Sequence, residues 1–225
     1  MARTPSPDTG DLFIARNTPP SRKTLRLGIM GGTFNPIHYG HLLCAEQARC
    51  KFHLDEVVFV PSGHPPHKQA PDIAAIEHRY LMTVLAISTN PFFSVSRTEV
   101  DRKGKSYAID TIRCFLDTYK KYNPRLFFIT GSDAVMEILT WRKPDQIMDL
   151  ATVIAASRPG YDFNRLKDAV GQARFKKLKL MQASALAISS TDIRTRVRDG
   201  RPIKYLLPES VEQHIMKHGL YTNTQ

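Results

Sequence analysis

Residues 25–41 read Leu25-Arg26-Leu27-Gly28-Ile29-Met30-Gly31-Gly32-Thr33-Phe34-Asn35-Pro36-Ile37-His38-Tyr39-Gly40-His41. A short apolar run from Leu25 to Met30 gives way to a glycine pair, and a periodic stretch follows from Leu42. That order describes a buried strand, a tight loop and the start of a helix. Glycines leave backbone N–H groups exposed, and a helix start presents more of them, so this turn is suited to receive a phosphate. His38 and His41 fall on one side of the first helical turn, where both rings can reach the same anion. The turn has neither the GxGxxG spacing of a dinucleotide fingerprint nor the GKS or GKT ending of a P-loop.

Outward from this turn, compact apolar runs alternate with longer segments of helical period. The pattern predicts strands at 25–30, 57–60, 92–95, 126–130, 152–156 and 177–181. Helices are expected at about 39–53, 77–89, 106–121, 132–139, 162–173, 190–199 and 208–217. Near-continuous apolar strands alternating with helices predict an α/β fold: a doubly wound, mostly parallel sheet of Rossmann-like type rather than a sandwich. Ligands of such sheets bind beyond the carboxyl ends of the strands, where the 31–41 turn is expected to lie.

Composition agrees with one soluble domain. The chain has 225 residues, 42% of them hydrophobic and 24% charged, enough for a substantial core. Residues 1–24, rich in Pro, Thr, Ser and Arg, are expected to form a flexible extension, and 25–225 the folded domain with a C-terminal helical segment. Thirty-two basic against 21 acidic residues give a formal charge of +11, which favours anionic partners without separating nucleic acid from a phosphorylated metabolite. Cys44, Cys50 and Cys114 form no CxxC pair, a usage that fits a reducing cytosol. No apolar run reaches transmembrane length, and the N-terminus lacks the core of a secretory signal, so a cytoplasmic protein is expected.

A second turn-to-helix signal, Ile188-Ser189-Ser190-Thr191-Asp192-Ile193-Arg194, lies near the other end. Ser189 or Ser190 can cap a helix, Ser190 and Thr191 can offer hydroxyls or amides, and the Arg194 fork can hold two phosphate oxygens. Arg196, Arg198 and Arg201 read as an ordinary basic face. The loop Pro61-Ser62-Gly63-His64-Pro65-Pro66-His67-Lys68 follows the second strand, where His67 or Lys68 could neutralise substrate charge. Gly131-Ser132-Asp133 follows the fourth strand; Asp133 could meet a ribose hydroxyl and Ser132 could cap the next helix. Trp141 could stack on a flat heterocycle or seal the core. Zinc is the rival reading of His38 and His41, but no nearby cysteine pair completes a ligand set.

With these residues in place, the chain resembles bacterial nicotinate-nucleotide adenylyltransferases of the HIGH-motif nucleotidyltransferase superfamily. The resemblance runs from about Leu25 through Tyr221. It rests on GGTFNPIHYGH at 31–41 and ISSTDIR at 188–194, with PPHK at 65–68, GSD at 131–133, TW at 140–141, SRPG at 157–160 and GLY at 219–221 in order. The resemblance implies AMP transfer from ATP to nicotinate mononucleotide by in-line attack, without a covalent protein nucleophile and with Mg²⁺ bridging phosphate oxygens and water. It implies catalytic roles for His38, His41 and Arg194, and nucleotide contacts from Gly31, Gly32, Thr33, Phe34, Gly131, Asp133, Ser189, Ser190 and Thr191. For the mononucleotide it implies His67, Lys68, Ser106, Tyr107, Thr140, Trp141 and Arg142, with no protein ligand to the metal.

Two positions depart from the family pattern. Asn35 replaces the commoner aspartate, as in eukaryotic enzymes of both pyridine mononucleotides, and Arg142 stands where tyrosine is common. They keep a dual nicotinamide/nicotinate enzyme in view, beside a pantetheine-phosphate adenylyltransferase, which GSD, Trp141 and SRPG disfavour. A basic nucleic-acid-binding module would explain the clusters around 165–179 and 194–204 but not the ordered pair of motifs. No nucleic-acid or membrane partner is therefore expected, and the sequence leaves a homo-oligomer open.

Overall fold

The computed structural model describes residues 24–63, 73–158, 160–184 and 186–222. The expected N-terminal extension, Thr24 apart, lies outside the described residues. Six strands make one sheet: β1 (Arg26–Gly32), β2 (Glu56–Pro61), β3 (Phe93–Val95), β4 (Arg125–Gly131), β5 (Thr152–Ser157) and β6 (Lys179–Gln182). Their order is β3-β2-β1-β4-β5-β6, and each neighbouring pair is parallel. The chain winds one way from β1 to β3 and the other way from β4 to β6. The direction reverses between β1 and β4, the switch point at which doubly wound sheets bind ligands.

The helices are α1 (Tyr39–Lys51), α2 (Ile76–Ile87), α3 (Ala108–Thr118), α4 (Ser132–Met136), α5 (Pro144–Leu150), α6 (Phe163–Val170), α7 (Gln172–Phe175), α8 (Ser190–Arg198) and α9 (Glu209–Lys217). The strands read as unbroken apolar runs because both faces of the sheet are covered. Met30, Phe59, Phe127, Ile129 and Ile154 point into one core, while Leu27, Ile29, Val58, Leu126, Phe128 and Val153 point into the other. Burying each such side chain contributes about 1.5–3 kcal/mol relative to exposure.

The expected elements recur with local differences. The helix expected at 106–121 ends at Thr118, and a separate 3₁₀ turn at Lys120–Tyr122 follows, closed by Asn123 in the left-handed region. The helix expected at 132–139 stops at Met136 and tightens into a 3₁₀ turn at Ile138–Thr140. The one expected at 162–173 is broken at Gly171, where φ is 82°. Helix α5 was not foreseen: it has seven residues, too few to display a period, although Pro144 marks its first turn.

Candidate active site

The turn after β1 is held in shape by atoms that sequence spacing does not reveal. Phe34 adopts φ 46° and sinks its ring into the core beside Phe59, with the His41 ring edge-on at 5.2 Å. Phe34 can therefore meet a ligand through its main chain alone. His38 occupies the N-cap of α1 in extended conformation, and its main-chain N–H donates to His41 Nδ1 at 3.2 Å. That bond leaves the proton on Nε2 of a neutral His41, so Nε2 becomes the donor face. The two rings lie 3.8 Å apart between centroids. A side chain at Gly40 would come within 3.0 Å of the His38 ring, so glycine between the histidines lets the rings lie this close without crowding.

His38 is 6% exposed, and burial, aided by the Arg158 charge, pushes its pKa down to about 4. At neutral pH its ring is uncharged.

The distal motif comes to the same place through the carbonyls of a cis Asn35-Pro36 unit. Arg194 donates from one terminal nitrogen to the Asn35 carbonyl at 2.9 Å, and Ser190 Oγ donates to the Pro36 carbonyl at 2.9 Å. Ser189 is the actual N-cap of α8, its hydroxyl accepting the Asp192 N–H at 3.1 Å. Both serine hydroxyls are thus engaged within the protein. The α8 amides, Thr191 and Arg194 remain as the groups this segment can turn to an anion. Arg196 pairs with Asp192 and Arg201 with Asp199, consistent with a basic face. Among the described residues, two buried side-chain nitrogens lack a hydrogen-bond partner: His38 Nδ1 and Arg194 Nε. Each belongs to one of the two motifs. Buried polar atoms are rarely left unsatisfied, so these two single out the segments that the Asn35-Pro36 carbonyls bring together.

Gly131 and Asp133 are exposed at the end of β4, adjacent to β1 in the sheet, so the switch point brings GSD beside the glycine turn. Trp141 and Tyr107 pack on the core of the other face. Trp141 is half-buried and meets Phe128 edge-on at 5.9 Å, and Phe128 in turn underlies Gly31. The ring thus packs on the core, as one of the two readings expects, while part of it stays exposed. The Arg142 guanidinium covers the Tyr107 ring at 4.9 Å and lies 3.7 Å from Asp110. Thr140 is exposed, with its hydroxyl donating to Glu137 O at 2.7 Å. Ser106 points inward. It is buried and hydrogen-bonded to Glu99, whose carboxyl also accepts from Thr111 at 2.6 Å and is raised in pKa by burial. His67 and Lys68 lie outside the described residues.

Sequence reasoning gave no role to Arg79, Arg158 or Tyr221. Arg79, 2% exposed, donates to the carbonyls of Ala74, Thr33, Ser62 and Gly63, tying the ends of β1 and β2 to α2. The available signal was its spacing: position 79 falls on the apolar face of α2 with Met82, Thr83 and Ala86. Asn35 is likewise an internal strut. Its Oδ1 accepts from Ala74 N at 3.0 Å and Tyr221 OH at 2.8 Å, so its departure from the family pattern bears on loop architecture.

A parallel β3-β2-β1-β4-β5-β6 sheet, with two histidines after β1 and a distal arginine bonded to the same turn at the Asn35 carbonyl, defines a nucleotide-handling α/β protein, and residues 29–196 match the model of the cytidylyltransferase-like family. A probable nicotinate-nucleotide adenylyltransferase of Thermoanaerobacter sp. (strain X514) is 54% identical over 202 residues, spanning 88% of this chain and 95% of the relative. A protein of the same description from Moorella thermoacetica is 52% identical over 201 residues, spanning 87% and 91%. Among solved structures, Plasmodium falciparum nicotinic acid mononucleotide adenylyltransferase complexed with NaAD matches with a TM-score of 0.69 at 18% identity, covering 88% of this chain and 97% of that one, a likeness of fold. This chain belongs to the nicotinate-nucleotide adenylyltransferase family.

Proposed function

We infer that the protein transfers AMP from ATP to nicotinate mononucleotide, yielding nicotinate adenine dinucleotide and pyrophosphate. The observation that carries this reading is the pairing of unsatisfied His38 Nδ1 and Arg194 Nε on two motifs joined at the Asn35-Pro36 carbonyls. A phosphate oxygen of the mononucleotide attacks the α-phosphorus of ATP, and the bond from that phosphorus to the bridging oxygen of pyrophosphate breaks. His38 and His41 donate hydrogen bonds to the reacting phosphate, and the glycine-turn and α8 amides add fixed donors. Arg194 takes the charge that gathers on departing pyrophosphate. Trp141, Tyr107 and Arg142 border the pyridine, and Asp133 the ribose.

Catalysis is then positioning and charge stabilisation rather than covalent chemistry. The thiol nearest in sequence agrees: burial pushes Cys44 up to about 11, so it stays protonated at neutral pH. Mg²⁺ fits as a companion of ATP. It would be held chiefly by phosphate oxygens and water, as Mg²⁺ retains waters readily; among the described residues no group of three or more His, Cys, Asp or Glu side chains is arranged to hold a metal. When bound, Mg²⁺ would neutralise phosphate charge. No helix among the described residues is long and apolar enough to cross a membrane.

The test is to incubate the purified protein with ATP and Mg²⁺ and, separately, nicotinate or nicotinamide mononucleotide, following dinucleotide and pyrophosphate. Turnover is expected with both products in equal amounts and a higher kcat/KM for the acid, whose carboxylate accepts charge-assisted hydrogen bonds that the amide cannot match. Absence of dinucleotide from either substrate overturns the function; equal or greater kcat/KM for the amide overturns the preference.

A further inference from the structure

The C-terminal segment after α9 returns to the phosphate turn. Gly219 and Tyr221 both have positive φ, 58° and 67°, and this double bend buries the Tyr221 ring at 8% exposure in the core shared by α2, α8 and α9. Its hydroxyl ends on Asn35 Oδ1 at 2.8 Å. The phenol is pushed above its usual range by burial, so it stays protonated and donates. Asn35 turns this contact toward the site, because its main-chain carbonyl is the acceptor that holds Arg194. The same residue thus receives the C-terminal hydroxyl on its side chain and the distal arginine on its backbone. Arg79 fixes the Thr33 carbonyl two residues earlier, while Asn35 itself is held through its side chain by Tyr221 OH and Ala74 N.

We propose that Tyr221 is a positioning residue for Arg194: its hydroxyl, acting through Asn35, fixes the carbonyl that aims the guanidinium at the departing phosphates. The proposal rests on the phosphate reading of Arg194 given above. It makes the C-terminal Gly219-Leu220-Tyr221 segment part of the triphosphate geometry, without touching substrate.

The experiment compares wild type with Tyr221→Phe, which keeps the buried ring and removes the hydroxyl. Pyrophosphate affinity is read by calorimetry, and KM for ATP, KM for the mononucleotide and kcat by turnover. Losing one aligned hydrogen bond should weaken pyrophosphate binding and kcat/KM for ATP by about fivefold to tenfold, leaving KM for the mononucleotide within about twofold of wild type. Val211→Ala, a core truncation in α9 that leaves the hydroxyl in place, serves as the stability control; it should lower Tm with wild-type kinetics. Asn35→Ala should reproduce the ATP defect, and adding Tyr221→Phe to it should cost nothing further, since one path carries both effects.

Additive losses, a parallel rise in both KM values, or wild-type pyrophosphate affinity in Tyr221→Phe would overturn the positioning role. Should Tyr221→Phe fail to fold, the Asn35→Ala variant decides: unchanged pyrophosphate affinity there sinks the proposal. A wild-type protein that makes no dinucleotide, yet loses pyrophosphate affinity on Tyr221→Phe, would remove the proposed acceptor while leaving the positioning role standing.

Discussion

His38 makes folding stability depend on pH in a window the structure defines. Its ring is 6% exposed, and its pKa falls from an ordinary 6.5 to about 4, first through burial and then through Arg158. Above pH 6.5 the imidazole is neutral in both folded and unfolded chains, so it imposes no penalty. As pH falls below 6.5 the unfolded chain takes up the proton first, and stability declines until the folded pKa is passed. Linkage between these two values amounts to about 2 kcal/mol at pH 5 and about 3 kcal/mol below both. The perturbation is His38→Gln, which keeps a polar side chain and abolishes the titration. Urea unfolding of both proteins at pH 7.5 and pH 5 isolates the effect, because His214, whose pKa is also lowered by burial, remains in each. Wild type should lose about 2 kcal/mol more than His38→Gln between the two pH values. Equal losses would refute a neutral, buried His38 in the folded protein. Saturating pyrophosphate should shrink the difference, since an anion against the ring favours the protonated form.

Other substitutions probe the remaining contacts. His41→Ala removes a phosphate donor and the acceptor of the His38 N–H; kcat should fall by about 3 kcal/mol in transition-state terms, with a stability loss of about 1 kcal/mol from the weakened helix start. A folded variant with near-wild-type kcat would defeat that assignment. Arg194→Lys keeps the charge but cannot reproduce a planar fork anchored on Asn35, so ATP binding should persist while kcat/KM drops more than about tenfold. Steady-state constants matching wild type would show that the guanidinium geometry is irrelevant. Gly63→Ala would place a methyl 2.0 Å from the Glu99 carbonyl oxygen, a backbone atom that cannot rotate away. Thermal unfolding should register about 3 kcal/mol of destabilisation or more, and a Tm unchanged from wild type would contradict the close approach of these two loops.

The sequence by itself determined the architecture and marked the residues proposed to meet phosphate. A parallel sheet covered on both faces forces unbroken apolar strands, so Val57–Val60 and Leu126–Ile129 announced their burial without any long-range information. Likewise, a phosphate turn needs glycines and a helix start contiguous in the chain, and His38 and His41 fall within that local unit. The tertiary structure decided what depends on residues far apart in sequence. Whether Ser189 or Ser190 caps α8 was settled by the Pro36 carbonyl, which lies 154 residues from Ser190 and claims its hydroxyl. The inward turn of Ser106 toward Glu99, the burial of Arg79 among four carbonyls and the reach of Tyr221 to Asn35 follow from packing between separate elements. The protonation state of His38 belongs to the same class, because desolvation is a property of everything that surrounds a ring. Periodicity records which face of an element avoids water; it carries no record of which distant carbonyl a buried donor meets, and at this site those long-range hydrogen bonds set the geometry.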